Sequence, residues 1–418
     1  MKENISNPEK LKKNKKVSKI LFIIPFLTML NRGIERSGFN LAKALKFYVD
    51  QVSILCWSPF GEKRKNIDNG INVIPVKLPK YFSSYFASLG YLIYLLLNKP
   101  DVVVIFYAGH GEAWPIRWAR KFISFHLSFI AGYPIETVPH RFQEFKTLGI
   151  ESLLDSIIVK SPAMKKGVET FFNRPVQIIT NGIDTDYFKK SKGMNTVRLK
   201  RELGINPDSL VLLTVAALEK RKGMHYVINS LERLQTENIS NVNYIILGDG
   251  NDRQYFEKLV KESSLGHRIY LIGSVKDVRP YYATSDLFLL LSYGEGFPNT
   301  LLEAWAMELP VVVSNHPPYP EITNSKNAIK LSLDDEDGLD DLIKELVGNK
   351  YRFRKTGIKN RTFLNANYSW QNIAAKYIEN FKLITGLVNL PLLNDNFIYK
   401  LNVYGGSRIW LRILLKKG

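Results

Sequence analysis

The 418-residue chain is strongly basic, because 58 lysines and arginines against 39 acidic residues leave a formal net charge of +19. Its length exceeds that of one ordinary domain and suits two, and its 45% of hydrophobic residues excludes a disordered chain. The single cysteine, Cys56, excludes a disulfide bond within the chain and is typical of a reducing compartment.

The basic excess calls for a polyanionic neighbour, either nucleic acid or anionic lipid, unless it is simply a solvated lysine-rich surface. No zinc-finger, RNA-binding or helix-turn-helix pattern directs the charge towards bases, so nucleic acid is not expected as a partner. The apolar segment 20–25 is too short for a secretory signal. The run 85–97 falls short of the roughly 20 residues that cross a bilayer. We therefore expect a cytoplasmic protein, with the inner face of the plasma membrane as a candidate contact.

Strands and helices alternate along the predicted first half of the chain. Residues 1–16 are polar and lysine-rich, which predicts a disordered basic tail. Strands are predicted at 17–25, 51–57, 72–76, 101–107, 127–131, 156–159 and 176–180, and helices at 37–48 and 82–97. This alternation predicts a doubly wound sheet, and the apolar run 85–97 is expected to pack beneath it rather than anchor a membrane. The loop after the first strand lacks G-x-G-x-x-G, so a nicotinamide-dependent dehydrogenase is not supported.

The second half repeats the alternation, with strands predicted at 210–216, 242–247 and 269–273, and its most informative unit lies at 285–314. An apolar run there suits a buried parallel strand. A turn rich in glycine and proline follows, and a helix is predicted from Asn299 to Glu308 before another strand at 311–313. The turn therefore lies at the carboxyl edge of the sheet, where open α/β sheets bind ligands.

The residues of this turn and helix suit a phosphorylated sugar ligand. The backbone N–H groups of Asn299, Thr300 and Leu301 open the predicted helix and can bind a phosphate. Beyond them, Glu303 can accept two hydrogen bonds from a ribose diol, and before them Glu295 can bind sugar hydroxyls. Two glutamates at this spacing are also common as solvated charges, so the surrounding sequence carries the specificity.

The whole string, Glu295-Gly296-Phe297 through Glu303, resembles the E-x7-E signature of retaining GT-B glycosyltransferases, in particular the large family 4. Three further segments resemble the same family: 181–184 at its interdomain crossover, 247–250 as a tight turn, and 368–370 at the start of a returning helix. The resemblance covers about residues 17 to 385, and it is specific in the second half and loose in the first.

The resemblance implies an α/β fold of the GT-B type, in which two Rossmann-like doubly wound domains face an interdomain cleft. The implied acceptor domain is 17–182, the nucleotide-sugar donor domain is 183–366, and the helix at 367–386 returns to the first domain. The segment 387–418 mixes aromatic, aliphatic and basic residues, which is the composition of an interfacial helix. Packing of that segment against the first domain is the alternative.

The resemblance also implies which residues bind the donor. Glu303 is expected at the ribose, Glu295 at the sugar hydroxyls and Lys222 at the phosphates. The same site is expected to include Gly33, Arg221, Gly296, Phe297, Asn299, Thr300 and Leu301. Gly33 lets the backbone approach the donor diphosphate or the acceptor, although an ordinary turn glycine accounts for it equally well.

Ala217 is the main departure from the family pattern. The family typically has G-R-L-x-x-x-K-G, in which an arginine and a lysine bind the donor phosphates; here Lys222 matches the lysine, but Ala217 stands at the arginine position. The phosphate site is then weaker, is compensated by Lys220 or Arg221, or belongs to a protein that binds without turnover. Compensation is favoured because both carboxylates are present.

Three residues are candidates for catalysis: Glu295, Lys222 and His110. His110 directly follows a predicted strand and can face the cleft. Relatives often have a cleft histidine after the next strand, where this chain has Ala131 and Gly132.

The D-x-D pattern at 184–186 resembles a metal site, but it falls at the turn after the crossover, and GT-B enzymes need no metal to offset the diphosphate charge. We therefore expect neither a metal nor a cofactor beyond the donor.

The expected activity is glycosyl transfer from a nucleotide-sugar to a glycan or lipid-linked acceptor, with retention at the anomeric carbon, in surface polysaccharide or glycolipid synthesis. One alternative is a GT-B synthase with a soluble acceptor. The other is a catalytically silent nucleotide-sugar-binding or scaffold protein, which the alanine at 217 motivates. The spacing of motifs does not specify the base, the sugar or the acceptor.

Overall fold

The computed structural model describes residues 17–25, 27, 33–58, 71–77, 84–107, 109–191, 194, 196–239 and 241–384. The predicted basic tail at 1–16, the extension at 387–418 and most of the loop at 26–32 lie outside these residues. The described chain forms two parallel sheets, one before and one after about residue 183.

The first sheet has seven parallel strands in the order β3-β2-β1-β4-β5-β6-β7. The strands are β1 (Lys19–Ile23), β2 (Gln51–Ser58), β3 (Asn72–Lys77), β4 (Val102–Ile105), β5 (His126–Ile130), β6 (Ser156–Val159) and β7 (Gln177–Ile178). Its helices are α1 (Gly33–Leu45), α2 (Ser84–Asn98), α3 (His110–Ala119), α4 (Pro139–Thr147) and α5 (Pro162–Phe172). The first helix covers one face of the sheet and the other four cover the opposite face, so the central strands are apolar and fully buried.

The second sheet has six parallel strands in the order β10-β9-β8-β11-β12-β13. They are β8 (Leu210–Val215), β9 (Val242–Leu247), β10 (Ile269–Gly273), β11 (Leu287–Leu290), β12 (Val311–Ser314) and β13 (Ile329–Leu331). The associated helices are α6 (Thr196–Glu202), α7 (Met224–Thr236), α8 (Arg253–Glu262), α9 (Arg279–Thr284), α10 (Asn299–Ala306), α11 (Tyr319–Ile322), α12 (Glu336–Gly348) and α13 (Lys350–Asn367). Separate apolar cores lie on the two faces of this sheet.

The last described helix, α14 (Trp370–Ile384), returns to the first sheet. Its side chains Ile373, Tyr377 and Phe381 are buried in the same core as α1. Lys160, at the end of β6, donates a hydrogen bond to the Tyr377 hydroxyl at 2.7 Å, and burial lowers the pKa of this lysine to about 7. The two passages of the chain between the sheets run side by side, because the N–H of Ile183 donates to the carbonyl of Tyr368 at 2.8 Å.

The predicted start of the first helix is wrong by four residues. The sequence predicted a start at Ser37, but the helix begins at Gly33, and Glu35 lies in its first turn, where a negative charge is favourable. Gly38 lies inside the helix, where a Cβ atom would lie 2.7 Å from the end of the Ile24 side chain and 3.0 Å from the Phe106 ring. Gly33 is therefore a helical residue at the first turn and not part of the loop.

The helix α2 is only half buried. Tyr91 and Leu95 pack beneath the sheet, as predicted, whereas Leu89, Ile93 and Leu97 are 44%, 49% and 77% exposed. None of the described helices is both long and apolar enough to cross a membrane.

Two glycines test how closely the chain packs behind the cleft. Both have left-handed backbones, Gly204 with a φ of 70° and Gly223 with a φ of 75°. A Cβ atom on Gly223 would lie 1.9 Å from the carbonyl oxygen of Leu291, whereas a Cβ atom on Gly204 would meet no other atom within 4 Å. We expect Gly204→Ala to cost about 1 kcal/mol of stability from its backbone alone. Gly223→Ala should cost at least twice as much because a backbone carbonyl must also move.

Thermal denaturation of the two variants beside the wild type measures this difference. Equal melting temperatures for the two variants would contradict the close approach of Gly223 to β11.

Candidate functional site

The predicted site residues follow the strands at which each sheet reverses its order. In the first sheet the chain moves outward from β1 and then returns to β4, and in the second it moves outward from β8 and returns to β11. Gly33 follows β1, His110 follows β4, Lys222 follows β8, and Glu295 follows β11. Ligands of open α/β sheets bind at such reversal points, beyond the carboxyl ends of the strands.

The N-termini of α1 and α10 face each other across the cleft. A Cβ atom on Gly33, the first residue of α1, would lie 3.6 Å from the side-chain nitrogen of Asn299, the first residue of α10. Asn181 donates a hydrogen bond to the side-chain oxygen of Asn299 at 2.7 Å. Because the positive ends of two helix dipoles converge here, the cleft favours an anion.

The α10 terminus lacks a side-chain cap, since Pro298 precedes it. The N–H of Leu301 already donates to the carbonyl of Pro298 at 3.1 Å, so among the three predicted phosphate donors it is the least available. Asn299 and Thr300 are the better candidates for an anion at this terminus.

Lys222 and Glu295 form a direct ion pair between their Nζ and Oε1 atoms. The two side chains are only 9% and 17% exposed. Ser292 donates a longer hydrogen bond of 3.5 Å to the same carboxylate. These two predicted catalytic residues therefore neutralise each other.

Arg221 and Lys220 have other partners near the position of Ala217. Arg221 donates to the carbonyl of Gly294 at 2.8 Å and pairs with Glu219 at 2.6 Å, so it holds the loop that carries Glu295. The ammonium of Lys220 lies 4.3 Å from the centre of the Tyr255 ring. Lys220 or Arg221 could replace the arginine that is missing at position 217 only by leaving these contacts. Their role in phosphate binding stays a prediction.

Glu303 has an enclosed carboxyl group. The hydroxyl of Tyr282 donates to its Oε2 atom at 2.9 Å. Burial raises the pKa of Glu303 to about 7, against smaller lowering effects of the Tyr282 hydrogen bond and of Arg36 on α1. Near neutral pH this carboxyl group is therefore poised between its acid and its carboxylate.

His110 opens α3, and its side chain is outside the described part of the structure. Beside it lie polar residues of the first domain that the sequence analysis did not select. Glu112 is fully buried, and burial raises its pKa to about 7. Its Oε2 atom accepts from the N–H of Gly109 at 2.9 Å, and Tyr107 donates to Glu144 at 2.8 Å. The G-x-x-E spacing of a helix start was a usable signal for Glu112.

The loop of the second domain touches the first domain at Gly296. The carbonyl of Gly296 accepts a hydrogen bond from the Ser161 hydroxyl at 2.8 Å. A Cβ atom on Gly296 would lie 2.9 Å from the carbonyl oxygen of Gly132. Phe297 is nearly buried in the core of the second domain, so its place is that of a packing residue.

The D-x-D segment has the geometry of a turn. The Oδ1 atom of Asp184 accepts hydrogen bonds from the N–H groups of Asp186 and Tyr187 at 3.1 and 3.0 Å. These contacts cap the turn that follows the crossover.

Two parallel doubly wound sheets, a cleft between their carboxyl edges and a C-terminal helix that returns to the first sheet define the GT-B class of α/β proteins. Residues 196–362 match the family model described as glycosyl transferases group 1.

The chain is similar to several curated relatives. It is 29% identical over 250 residues to the uncharacterized glycosyltransferase MJ1059 of Methanocaldococcus jannaschii, and the match covers 59% of this chain and 57% of that protein. It is 24% identical over 284 residues to the lipopolysaccharide core biosynthesis glycosyltransferase LpsE of Rhizobium meliloti, covering 68% of this chain and 76% of the relative.

Solved structures share the fold. The Anabaena protein HepE, crystallised with UDP and glucose, superposes with a TM-score of 0.71 at 17% identity over 87% of this chain and 99% of HepE. The lipopolysaccharide glycosyltransferase WaaG superposes with a TM-score of 0.63 at 17% identity over 88% of this chain and 100% of WaaG. At these identities the structures establish the GT-B fold alone.

The raised pKa of Glu303 predicts a pH-dependent effect of Glu303→Gln. The folded-state pKa of about 7 exceeds the ordinary value of 4.5, so ionisation of this group opposes folding. The opposition is absent below the ordinary pKa, grows between the two values and is complete above pH 7. We expect the glutamine variant to melt above the wild type at about pH 8 and close to it at about pH 5.

Glu262→Gln, on the exposed end of α8, is the matched control and should show no such trend. A melting-temperature difference for Glu303→Gln that stays constant across this range would contradict the raised pKa.

Proposed function

We propose that this protein transfers a sugar from a nucleotide-diphosphate-sugar to a hydroxyl group of a glycan or lipid-linked acceptor, with retention at the anomeric carbon. The observation that carries the proposal is the convergence of two helix N-termini, Lys222 and two glutamates at the reversal points of both sheets. The names of relatives support this direction, since they include glycosyltransferases of lipopolysaccharide core and O-antigen biosynthesis and a monoglucosyldiacylglycerol synthase. HepE was crystallised with UDP-glucose.

In this proposal the donor lies along the edge of the second sheet. The diphosphate binds between the N-termini of α1 and α10, and Lys222 stabilises the charge of the departing nucleoside diphosphate. Glu295 binds hydroxyl groups of the donor sugar, and Glu303 accepts hydrogen bonds from the ribose. Lys222 and Glu295 then exchange part of their mutual ion pair for contacts with the donor.

The chemical step in this proposal depends on orientation and on the leaving group. The acceptor hydroxyl, held by the first domain, attacks the anomeric carbon on the face from which the diphosphate departs, and its proton passes to the departing phosphate. Glu295 acts on hydroxyl groups and not as a covalent nucleophile. The positioning of two substrates in one cleft supplies much of the rate enhancement, and neither a metal nor a further cofactor enters the proposal.

A thermal-shift screen of nucleotide-sugars tests the donor site. A bound donor stabilises the folded state by mass action. We expect one nucleotide-sugar to raise the melting temperature of the wild type and of the control Glu262→Ala, but not of Glu303→Ala or Lys222→Ala. If no nucleotide-sugar shifts the wild type at millimolar concentration, the donor assignment is wrong.

Ala217 motivates the second candidate, a protein that binds nucleotide-sugars without turnover. This second candidate is favoured by the contacts of Arg221 and Lys220, because in these contacts neither charge replaces the missing arginine. Donor binding without hydrolysis or transfer to any acceptor would support this candidate. Transfer in the absence of lipid would instead support a synthase with a soluble acceptor.

We also propose that the first domain meets its acceptor at an anionic membrane surface. The exposed side chains Leu89, Ile93 and Leu97 form one stripe along α2, and Trp118 and Phe122 are 48% and 68% exposed at the end of the neighbouring α3. A monomeric protein rarely leaves such apolar side chains together in water.

The charge around these side chains fits anionic lipid. The ammonium of Lys121 lies 4.4 Å from the centre of the Trp118 ring, and Lys99 and Arg117 are exposed nearby in sequence. Exposed aromatic, aliphatic and basic side chains on two neighbouring helices are typical of surfaces that lie in the membrane interface.

Vesicle co-sedimentation at low salt tests whether these exposed side chains of the first domain bind anionic lipid. We expect binding to vesicles that contain phosphatidylglycerol and little binding to pure phosphatidylcholine, with loss of binding in Leu97→Glu/Phe122→Glu. The matched control is Tyr351→Glu/Ile358→Glu, which adds the same charges at exposed apolar residues of the second domain. Equal binding of both double variants would refute a role for Leu97 and Phe122 in membrane binding.

A further inference from the structure

A small pocket lies in the first domain beyond the ends of β4 and β5. Apolar side chains, among them Ile34, Phe106 and Phe129, form much of its lining. The polar members are Tyr107, Tyr133 and Arg141. The cavity has a volume of only about 20 Å³, far below that of a pocket for a whole small molecule, so it holds at most one group of a ligand.

Arg141 is the unusual member of this pocket. Its guanidinium carbon lies 5.6 Å from the centre of the Tyr107 ring and 5.9 Å from that of Tyr133. The side chain is half buried, yet within the described residues no carboxylate lies within ion-pair distance of it and no acceptor takes a hydrogen bond from its guanidinium. The nearby Glu144 instead accepts from the hydroxyl of Tyr107.

Structural arginines elsewhere in the chain behave differently. Arg174 donates to the carbonyls of Glu151 and Leu154, and Arg361 donates to those of Thr185, Phe188 and Ala306. In each case the guanidinium joins segments of backbone. Arg141 instead contacts two aromatic rings, and its guanidinium N–H groups donate to no acceptor among the described residues. A guanidinium in this arrangement can bind an anion through paired hydrogen bonds.

The pocket adjoins the loop that carries Glu295. A Cβ atom on Gly296 would lie 2.9 Å from the carbonyl oxygen of Gly132 and 3.3 Å from Pro134, and Tyr133 lies between these two residues. Ile34, the second residue of α1, lines the same pocket. A ligand seated here therefore lies on the first-domain side of the place proposed for the donor sugar.

We propose that Arg141, between Tyr107 and Tyr133, binds an anionic group of the acceptor, either a phosphate or a carboxylate. The anion site itself follows from the pocket; only the assignment of the anion to the acceptor rests on the proposed function. The two rings hold the guanidinium by cation–π contacts, and the anion receives paired hydrogen bonds from its N–H groups. The same chemistry fits a lipid-linked phosphate and a charged sugar.

The first experiment measures binding of inorganic phosphate and of glycerol 3-phosphate by calorimetry. A Lys222→Ala background weakens anion binding at the donor site. We expect binding to persist in this background and to weaken about 10- to 100-fold when Arg141→Gln is added, as for the loss of a charge-assisted contact. The exposed neighbour His140→Gln is the control and should leave the affinity unchanged. Equal phosphate affinity with and without Arg141 overturns the proposal.

The second experiment separates this site from the donor site. Arg141→Gln should leave the thermal shift by the nucleotide-sugar unchanged and raise the acceptor KM at least about ten-fold, with kcat within about three-fold. A short-chain lipid phosphate, a soluble sugar phosphate, a uronic acid and a neutral glycoside serve as acceptors. Preference for one of the charged compounds identifies the source of the anion, and an unchanged KM for all of them contradicts the proposal.

A third variant covers the case in which Arg141→Gln lowers the melting temperature. Arg141→Lys retains the charge but not the fork of donors, so it should fold normally and bind phosphate with intermediate affinity. Wild-type affinity in the lysine variant would overturn paired recognition. Failure of the donor screen with retained phosphate binding at Arg141 would overturn the proposed function and leave the anion site standing.

Discussion

The whole arrangement depends on the close approach of two helix N-termini across the cleft. Asn299 opens α10 and Gly33 opens α1, and a Cβ atom on Gly33 would lie 3.6 Å from the side-chain nitrogen of Asn299. Asn181 links the crossover segment to Asn299 at 2.7 Å, so the same point of the chain joins the two domains and positions the cleft. An anion placed between the two termini receives the field of both helices, which neither domain provides alone.

This approach requires both passages between the domains to stay together. At Gly182 a Cβ atom would lie 2.7 Å from the Trp370 ring, so a larger residue there would push the outgoing strand away from the returning helix. The returning helix then enters the core of the first domain through Ile373, Tyr377 and Phe381. The packing of the returning helix therefore helps to hold the two domains together at the cleft.

How much of this could be predicted from the sequence differs between the two halves. The strands at 156–159, 242–247 and 269–273 coincide with their predicted limits because short apolar runs between turn residues leave little choice of period. The GT-B class followed from the string between Glu295 and Glu303. By contrast, the start of α1 was misplaced because residues 33–36 were assigned to the loop after the first strand, whereas they form the first turn of the helix. The exposed stripe of α2 was missed because its sequence is apolar on every face.

The charged and polar partners of the site residues could not be predicted from the sequence, because they lie far away along the chain. Arg221 lies next to Lys222 in the chain, yet its guanidinium is committed to Gly294 and Glu219, 73 residues away in the first case. Arg141 carried no motif, and only the positions of Tyr107 and Tyr133 in space distinguish it from a surface arginine. Long-range contacts of this kind depend on how the loops beyond parallel strands come together, which strand and helix patterns do not encode.

The alanine at 217 can be weighed against the charges that remain in the cleft. In the proposed reaction the donor carries one negative charge on each of its two phosphates. Each helix terminus offers the equivalent of roughly half a positive charge, and Lys222 adds a full one, although Glu295 now neutralises part of it. When the hydroxyl groups of a donor sugar solvate Glu295, Lys222 is released towards the phosphates, and the total comes close to the charge of the diphosphate. Under this proposal the missing arginine costs binding strength rather than the chemistry, and the Lys222–Glu295 pair would couple sugar recognition to the departure of the leaving group.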